Sequence, residues 1–254
     1  METHGHHLHK APGNKFWHFF FEFFMLFLAV SAGFYAENLR EEIRYEKEIQ
    51  SDMRSLLADL KSDVIYFNST IAANEYACTT ADSLITLLNG DRKNTNEIYY
   101  LARTTTANFG YFYSIQKTFE QMKFSGSLKR IFPRSLLDSI SDYYAGIPWL
   151  ENHSVLIRMK VDAIHLGNSE LFNALVFEKM MQIKFGDFQH SFTSINRPDG
   201  NPPLLTNDFN KINNVALNYH YFYSSMKFYN STASKTSQKG MRLINLVKRE
   251  YHIE

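Results

Sequence analysis

An all-α fold carrying one membrane-spanning helix is predicted by three features of the sequence. An apolar run of 21 residues lies near the amino terminus, a heptad pattern follows it from Leu39 to Leu88, and helix stop signals punctuate the rest. The expected architecture is an amino-terminal transmembrane helix continuing into a long heptad-patterned helix that packs in an antiparallel helical bundle. Residues 1–15 form a His-rich tail, 16–36 the span and 37–254 the helical domain.

Phe16 to Ala36 reads FWHFFFEFFMLFLAVSAGFYA. At about 1.5 Å rise per residue it measures roughly 31 Å, one hydrocarbon thickness. Trp17 and Tyr35 stand where interfacial aromatics belong. Val30-Ser31-Ala32 has the small-residue form of a signal-peptide cleavage site. Against cleavage, the run is longer than a signal h-region, contains Glu22, and passes into further helical periodicity. Lys10 and Lys15 precede the span while Arg40, Arg44, Lys47 and Arg54 follow it, and a plain count favours the wrong end for a signal anchor. A short tail inside and a large domain outside is the commoner arrangement, so the expectation is a bacterial inner-membrane anchor with a periplasmic domain.

Leu39, Ile43, Glu46, Gln50, Met53, Leu57, Leu60, Val64, Phe67, Ile71, Asn74, Cys78, Ala81, Ile85 and Leu88 alternate spacings of four and three without Pro or Gly. That predicts a single long helix with a coiled-coil-like seam, stopped at Asn89-Gly90. Ile98, Leu101, Thr105, Asn108, Phe112, Ile115, Phe119 and Met122 repeat the spacing, predicting a helix from about Thr95 to Phe124 closed by Ser125-Gly126. Two such helices across a short polar link suggest an antiparallel hairpin; a homo-oligomeric coiled coil is the alternative.

Pro133 precedes a short helix, Arg134 to Tyr144, and Gly146-Ile147-Pro148 is a stop-start signal. A further helix is expected to about Lys184, bent at Gly167 and closed by Gly186. Phe188 to Leu204, with Pro198, Gly200, Pro202 and Pro203, reads as an irregular loop. Thr206 or Asn207 is the expected cap of a last helix, with Ser231 to Gly240 its weakest part. No strand alternation is visible.

Two blocks, FFEFFMLFLAVSAGFYAENLREE and DMRSLLADLKSD, are joined by TFEQMKFSGSLKRI, by LLDSISDYY ending at Tyr144 and by LINLVKREY from Leu243 to Tyr251. Together they resemble a family of uncharacterised single-pass helical membrane proteins, a domain of unknown function, of Bacteroidetes-type bacteria. The resemblance covers nearly the whole chain through loose hydrophobic patterns. It implies an envelope location and a helical domain. It brings no known activity, so no functional residue is carried over.

Composition removes some classes of function. Lys+Arg 27 against Asp+Glu 26 gives a net charge of +1, too little for a basic field that would hold nucleic acid. A single cysteine, Cys78, excludes an intramolecular disulfide and a cysteine-built zinc cage. No Gly-rich phosphate loop, G-x-S-x-G or H-E-x-x-H occurs, and no enzyme, cofactor or metal is assigned.

The candidate polar residues of the span are His18 and Glu22, four apart on one face. A carboxylate in the membrane suggests a partner helix or ion path, or it reaches water if residues 16–21 lie among headgroups. His4, His6, His7 and His9 could hold a divalent metal, but a short tail preorganises no site. Asp162 and His165 with Glu170 form half of a di-iron bundle pattern that lacks its second copy. Asn218 to Tyr229 reads as core aromatics rather than a recognition stripe. Asn68, Asn152 and Asn230 begin glycosylation sequons at a frequency near chance. The expected partners are the lipid bilayer and a protein, or a second copy through its helices. The expected role is a non-enzymatic interaction or scaffold module of the cell envelope. The alternative is an accessory subunit of a larger membrane complex, a transporter or motor, engaging partner helices through Glu22.

Overall fold

The computed structural model describes residues 15–107, 109–184 and 192–253. Among these are six α-helices: α1 Lys15–Asn89, α2 Thr95–Ala107, α3 Lys117–Ser125, α4 Arg134–Leu171, α5 Ala174–Met180 and α6 Phe209–Tyr251. A 3-10 turn, Ser127–Arg130, separates α3 from α4, and strands β1 Met181–Lys184 and β2 Phe192–Ile195 form an antiparallel pair. The fold is all-α but for that hairpin. The chain divides into two units, one up to Ser51 and one from Asp52 onward.

In the first unit α1 contains the helix long and apolar enough to cross a membrane, near the amino terminus and with nothing in its apolar window buried. Its large side chains from Phe16 to Ile43 are exposed.

The second unit is a bundle built on the rest of α1. Met53, Leu57, Leu60, Val64, Phe67, Cys78, Ala81 and Leu88 are buried, as the heptad predicts, while Ile71 and Ile85 are half-buried and the heptad's first positions, Leu39, Ile43 and Glu46, are exposed. Leu56, Asp63, Thr70, Ala77 and Leu84 are buried beside them, so the inward stripe is wider than a coiled-coil seam. The chain from Thr105 to Ser127 returns antiparallel to α1. Thr105 bonds Thr80, Gly110 bonds Asn74, Ser114 bonds Asp63, Thr118 bonds Asp59 and Ser127 bonds Asp52. This is the expected hairpin. Helix α6 also runs antiparallel to α1, with Lys227 on Glu75 and Ser237 on Asn68. It is antiparallel to α4 as well, through Asn218 on the Ala163 carbonyl, Trp149 against Phe228, and Tyr143 against Gly240.

At Gly240 α6 packs tightly against both α1 and α4. A Cβ there would stand 3.1 Å from Val64 Cγ2 and 3.2 Å from Tyr143 Cε2. Ser231 to Gly240 is continuous helix because packing on two sides outweighs its weak propensity.

Several expected boundaries move. The helix predicted from Thr95 to Phe124 is broken between Ala107 and Lys117. Three consecutive threonines and an aromatic run after Gly110 weaken it locally, and neighbouring side chains satisfy the freed backbone. Asn108 lies outside the described residues. Pro148 does not separate two helices, since α4 runs through it. The proline is exposed, and Tyr144, Ile147 and Leu150 hold both flanks in the core. Gly167 likewise sits inside α4, where a Cβ would meet Val215 Cγ2 at 3.2 Å. α4 ends at Leu171, not near Lys184, and Met181–Lys184 is a strand. Pairing with β2, placed within the expected irregular loop, is a partner that local pattern does not display. Gly186 lies outside the described residues. The cap of α6 is Asp208, whose side chain accepts from Lys211 N, while Thr206 supports Asp208 N.

Candidate functional site

His18 and Glu22 share a face of α1 because they stand four residues apart, and His18 Nδ1 lies 3.8 Å from Glu22 Oε2. That is the outer limit of an ion pair. Both side chains are exposed, and Glu22 joins Phe19, Phe23 and Leu26 around an open hollow on the helix surface. In an apolar environment such a pair is costly unless another polar group completes it.

A second polar constellation lies inside the bundle and was not singled out from the sequence. Asp52, Asp59, Asp63 and Asn74 form a line along α1 and accept from the returning chain. Asn74 clamps Gly110 through both its N–H (2.9 Å) and its carbonyl (3.1 Å). Tyr229 of α6 accepts from Phe112 N at 2.9 Å. Asp63 Oδ1 accepts from Ile115 N at 2.8 Å. Asp59 Oδ2 accepts from both Thr118 N and Thr118 Oγ1, at 3.3 and 2.5 Å. It thereby caps α3, whose own N-cap residue Gln116 makes no capping bond. A segment with no ladder of its own thus has its N–H groups answered from two helices.

Asp63 is the centre of this line, 1% exposed. Its Oδ2 accepts from Ser114 Oγ at 2.6 Å and from Tyr143 Oη at 2.9 Å. Burial pushes its carboxyl above the usual carboxylate range, against the hydrogen bonds from Ser114, Ile115 and Tyr143 that favour the anion. The Asp59 charge adds to the rise. Tyr143 is driven far above an ordinary phenol by its own burial and by the Asp63 charge, so it is a fixed neutral donor. Tyr144 beside it is raised by burial and then by Asp63 and Asp59. Donors from two elements, the connection ahead of α3 and helix α4, converge on one carboxylate of α1, a junction suited to holding chain segments together.

The remaining candidates are dispersed. Asp162 and His165 are exposed on α4, and Glu170 pairs with Lys211 at 3.0 Å. Among the described residues no group of three or more His, Cys, Asp or Glu is placed to hold a metal. His4, His6, His7 and His9 lie outside the described residues. Cys78 is buried, and burial pushes its thiol up to about 11. From the aromatic run, Tyr219, Phe222, Met226 and Tyr229 are core, while Tyr221 and Phe228 are exposed. Of the sequons, Asn230 is buried with its amide on the Ile71 carbonyl and Glu75, out of reach of a glycan.

Compared with known proteins, the chain matches no family model, no curated protein and no solved structure. The sequence did hold a signal for the polar line along α1. Asp52, Asp59, Asp63 and Asn74 follow one another at spacings of seven, four and eleven, which keeps them on one helical stripe next to the apolar seam.

Proposed function

We propose that the chain is a membrane-anchored helical interaction or scaffold module of the bacterial cell envelope, held in the inner membrane with its bundle on the periplasmic side, and that it catalyses no reaction. The kinship with single-pass helical proteins of Bacteroidetes-type bacteria belongs to the same proposal. What supports the reading is the use of polar groups. The buried Asp63, the half-buried Asp59 and the buried Asn74 are occupied in tying the bundle together, while the apolar helix near the amino terminus leaves His18 and Glu22 exposed. Mild-detergent purification of the tagged full-length chain from its native membrane, with mass spectrometry, tests it. A stoichiometric protein partner is the expected result; recovery of the chain alone, with turnover of a small molecule, would overturn it.

The second reading, an accessory subunit of a transporter or motor, is favoured by the Glu22 hollow. In that case Glu22→Gln releases a membrane partner while the bundle stays folded. Unchanged assembly and ion flux would exclude it.

A further inference from the structure

We propose that the end of the bundle formed by the last turn of α3, the Ser127–Arg130 turn and the start of α4 docks on the surface of an anionic bilayer. Its phenylalanines enter the headgroup boundary and its basic residues pair with lipid phosphates. The inference needs only that residues 16–36 span the membrane, and it is independent of which protein partner the chain has.

Two side chains define the surface. Phe124 is 85% exposed and Phe132 is 81% exposed, more than any other large apolar residue described, including those of the apolar helix at the amino terminus. They flank the 3-10 turn, and neither is needed by the core. Met122 and Ile131 beside them face inward and are buried. An exposed phenylalanine on each side of a tight turn has an unfavourable hydration that a lipid interface removes.

Charge supplies the second argument. Between Lys117 and Arg134 the chain has five basic residues and one acid, Glu120, a local balance of +4 in a protein whose total is +1. Lys123, Lys129, Arg130 and Arg134 are all exposed. Glu120 is engaged by Lys123 at 3.3 Å, and the nearby Asp52 is engaged by Ser127 at 3.0 Å. The end of α6 meets the same loop, with the Tyr251 hydroxyl hydrogen-bonded to the Phe132 backbone, and brings Lys248 and Arg249. Arg249 is paired with Glu250 at 2.7 Å. Basic residues interspersed with aromatics match a lipid surface of negative potential.

Covalent connection supplies the third. This end lies at Asp52, sixteen residues after Ala36, whereas the α1–α2 link around Lys93 is at the opposite end of the bundle. A tether of sixteen residues confines the bundle near whatever bilayer holds the span. Docking is then intramolecular, and two phenylalanines and a few basic groups suffice where a free protein would need more. A protein partner is less favoured: the exposed phenylalanines are separated by polar residues and form no continuous stripe for a helix to follow.

The test uses the full chain in nanodiscs, with an environment-sensitive fluorophore on Phe132→Cys and, as a control, on Lys93→Cys. The parent chain, whose Cys78 is buried, sets the background. Alkaline extraction first establishes that the span is integrated, so a failure of the anchor is separated from a failure of docking. In discs of phosphatidylglycerol mixed with phosphatidylcholine, the probe at residue 132 shifts to the blue and loses most of its emission to a lipid-borne quencher. Concentrated salt or the double change Lys129→Glu with Arg130→Glu reverses much of that effect, while the probe at residue 93 stays aqueous. A probe at residue 132 as aqueous as that at residue 93 would overturn the proposal. So would burial that is equal in pure phosphatidylcholine and indifferent to charge reversal. So would a probe that is aqueous in discs yet shielded in native membranes, which would assign the surface to a protein. Circular dichroism confirms helix content in each variant.

Discussion

The two stretches of α1 use apolar residues in different ways. Between Phe16 and Ile43 they occur on every side of the helix and are exposed. From Met53 to Leu88 most of them gather on a buried stripe, with Ile65, Tyr66 and Tyr76 outside it and Lys61 turned outward. An all-round distribution suits an environment that is itself apolar, whereas a stripe suits a helix between a core and water. Periodicity therefore says more about a helix's surroundings than hydrophobicity does.

The strongest way to break this contrast is a matched pair of truncations. Phe67→Ala removes a fully buried ring stacked on Phe112 and is expected to cost the bundle about 3–5 kcal/mol. Phe20→Ala, on the exposed stretch, should leave the bundle's denaturant midpoint unchanged. Equal effects on both would mean the two stretches share one environment.

Next comes Asp63. Asp63→Ala strands the donors of Ile115, Ser114 and Tyr143 and should cost about 3 kcal/mol. Asp63→Asn, which keeps an acceptor for Ile115, should cost less. The pH dependence has a definite sign. Because the folded carboxyl titrates above its unfolded value, the native state holds the proton longer. Its contribution is therefore most favourable below the ordinary carboxylate pKa and is lost as pH rises through the raised one. Thermal melts run upward from the ordinary carboxylate range should show that loss in the parent and not in Asp63→Asn, while Glu75, held low by Lys227, contributes its opposite slope below that range in both.

Gly240→Val should cost about 2 kcal/mol by forcing Val64 or Tyr143 to move, read as a drop in midpoint with unchanged slope. Asn201→Ala should cost about 1 kcal/mol. Asn201 accepts from Thr95 Oγ1 and Asn96 N and donates to the Lys93 carbonyl, so it caps α2 from a distant loop. Hydrogen exchange at the start of α2 measures that loss locally. The smallest effect on stability belongs to Glu22→Gln, which should leave unfolding of the bundle unmoved and change only what co-purifies.

Much of this fold was legible in the residues. From Met53 onward the heptad located the inward face of α1, Asn89-Gly90 its end, Gly126 the left-handed stop of α3 and Pro133 the entry to α4. What stayed hidden depends on partners distant in sequence. The break after Ala107 is sustained by Asn74 and Tyr229, the strand at Met181 by Phe192–Ile195, and the caps of α2 and α3 by Asn201 and Asp59. Local rules see a proline or a run of threonines but not the distant side chain that offsets it, which is also why Pro148 reads as a boundary and is not one. The His18–Glu22 pair was visible from spacing alone, and the structure adds its exposure and its separation.

The borrowed cap of α3 sets an order of assembly during synthesis. Thr118 N is answered by Asp59, already made when α3 emerges, but Phe112 N waits for the Tyr229 hydroxyl, 117 residues later. A nascent chain stalled before α6 would hold the connection ahead of α3 at Gly110, Ser114 and Ile115 through α1, with Phe112 N between them unanswered. The carboxyl-terminal helix thus acts as a latch, and chains truncated ahead of Tyr229 should be cut by protease between Gly110 and Gln116 while full-length chains resist.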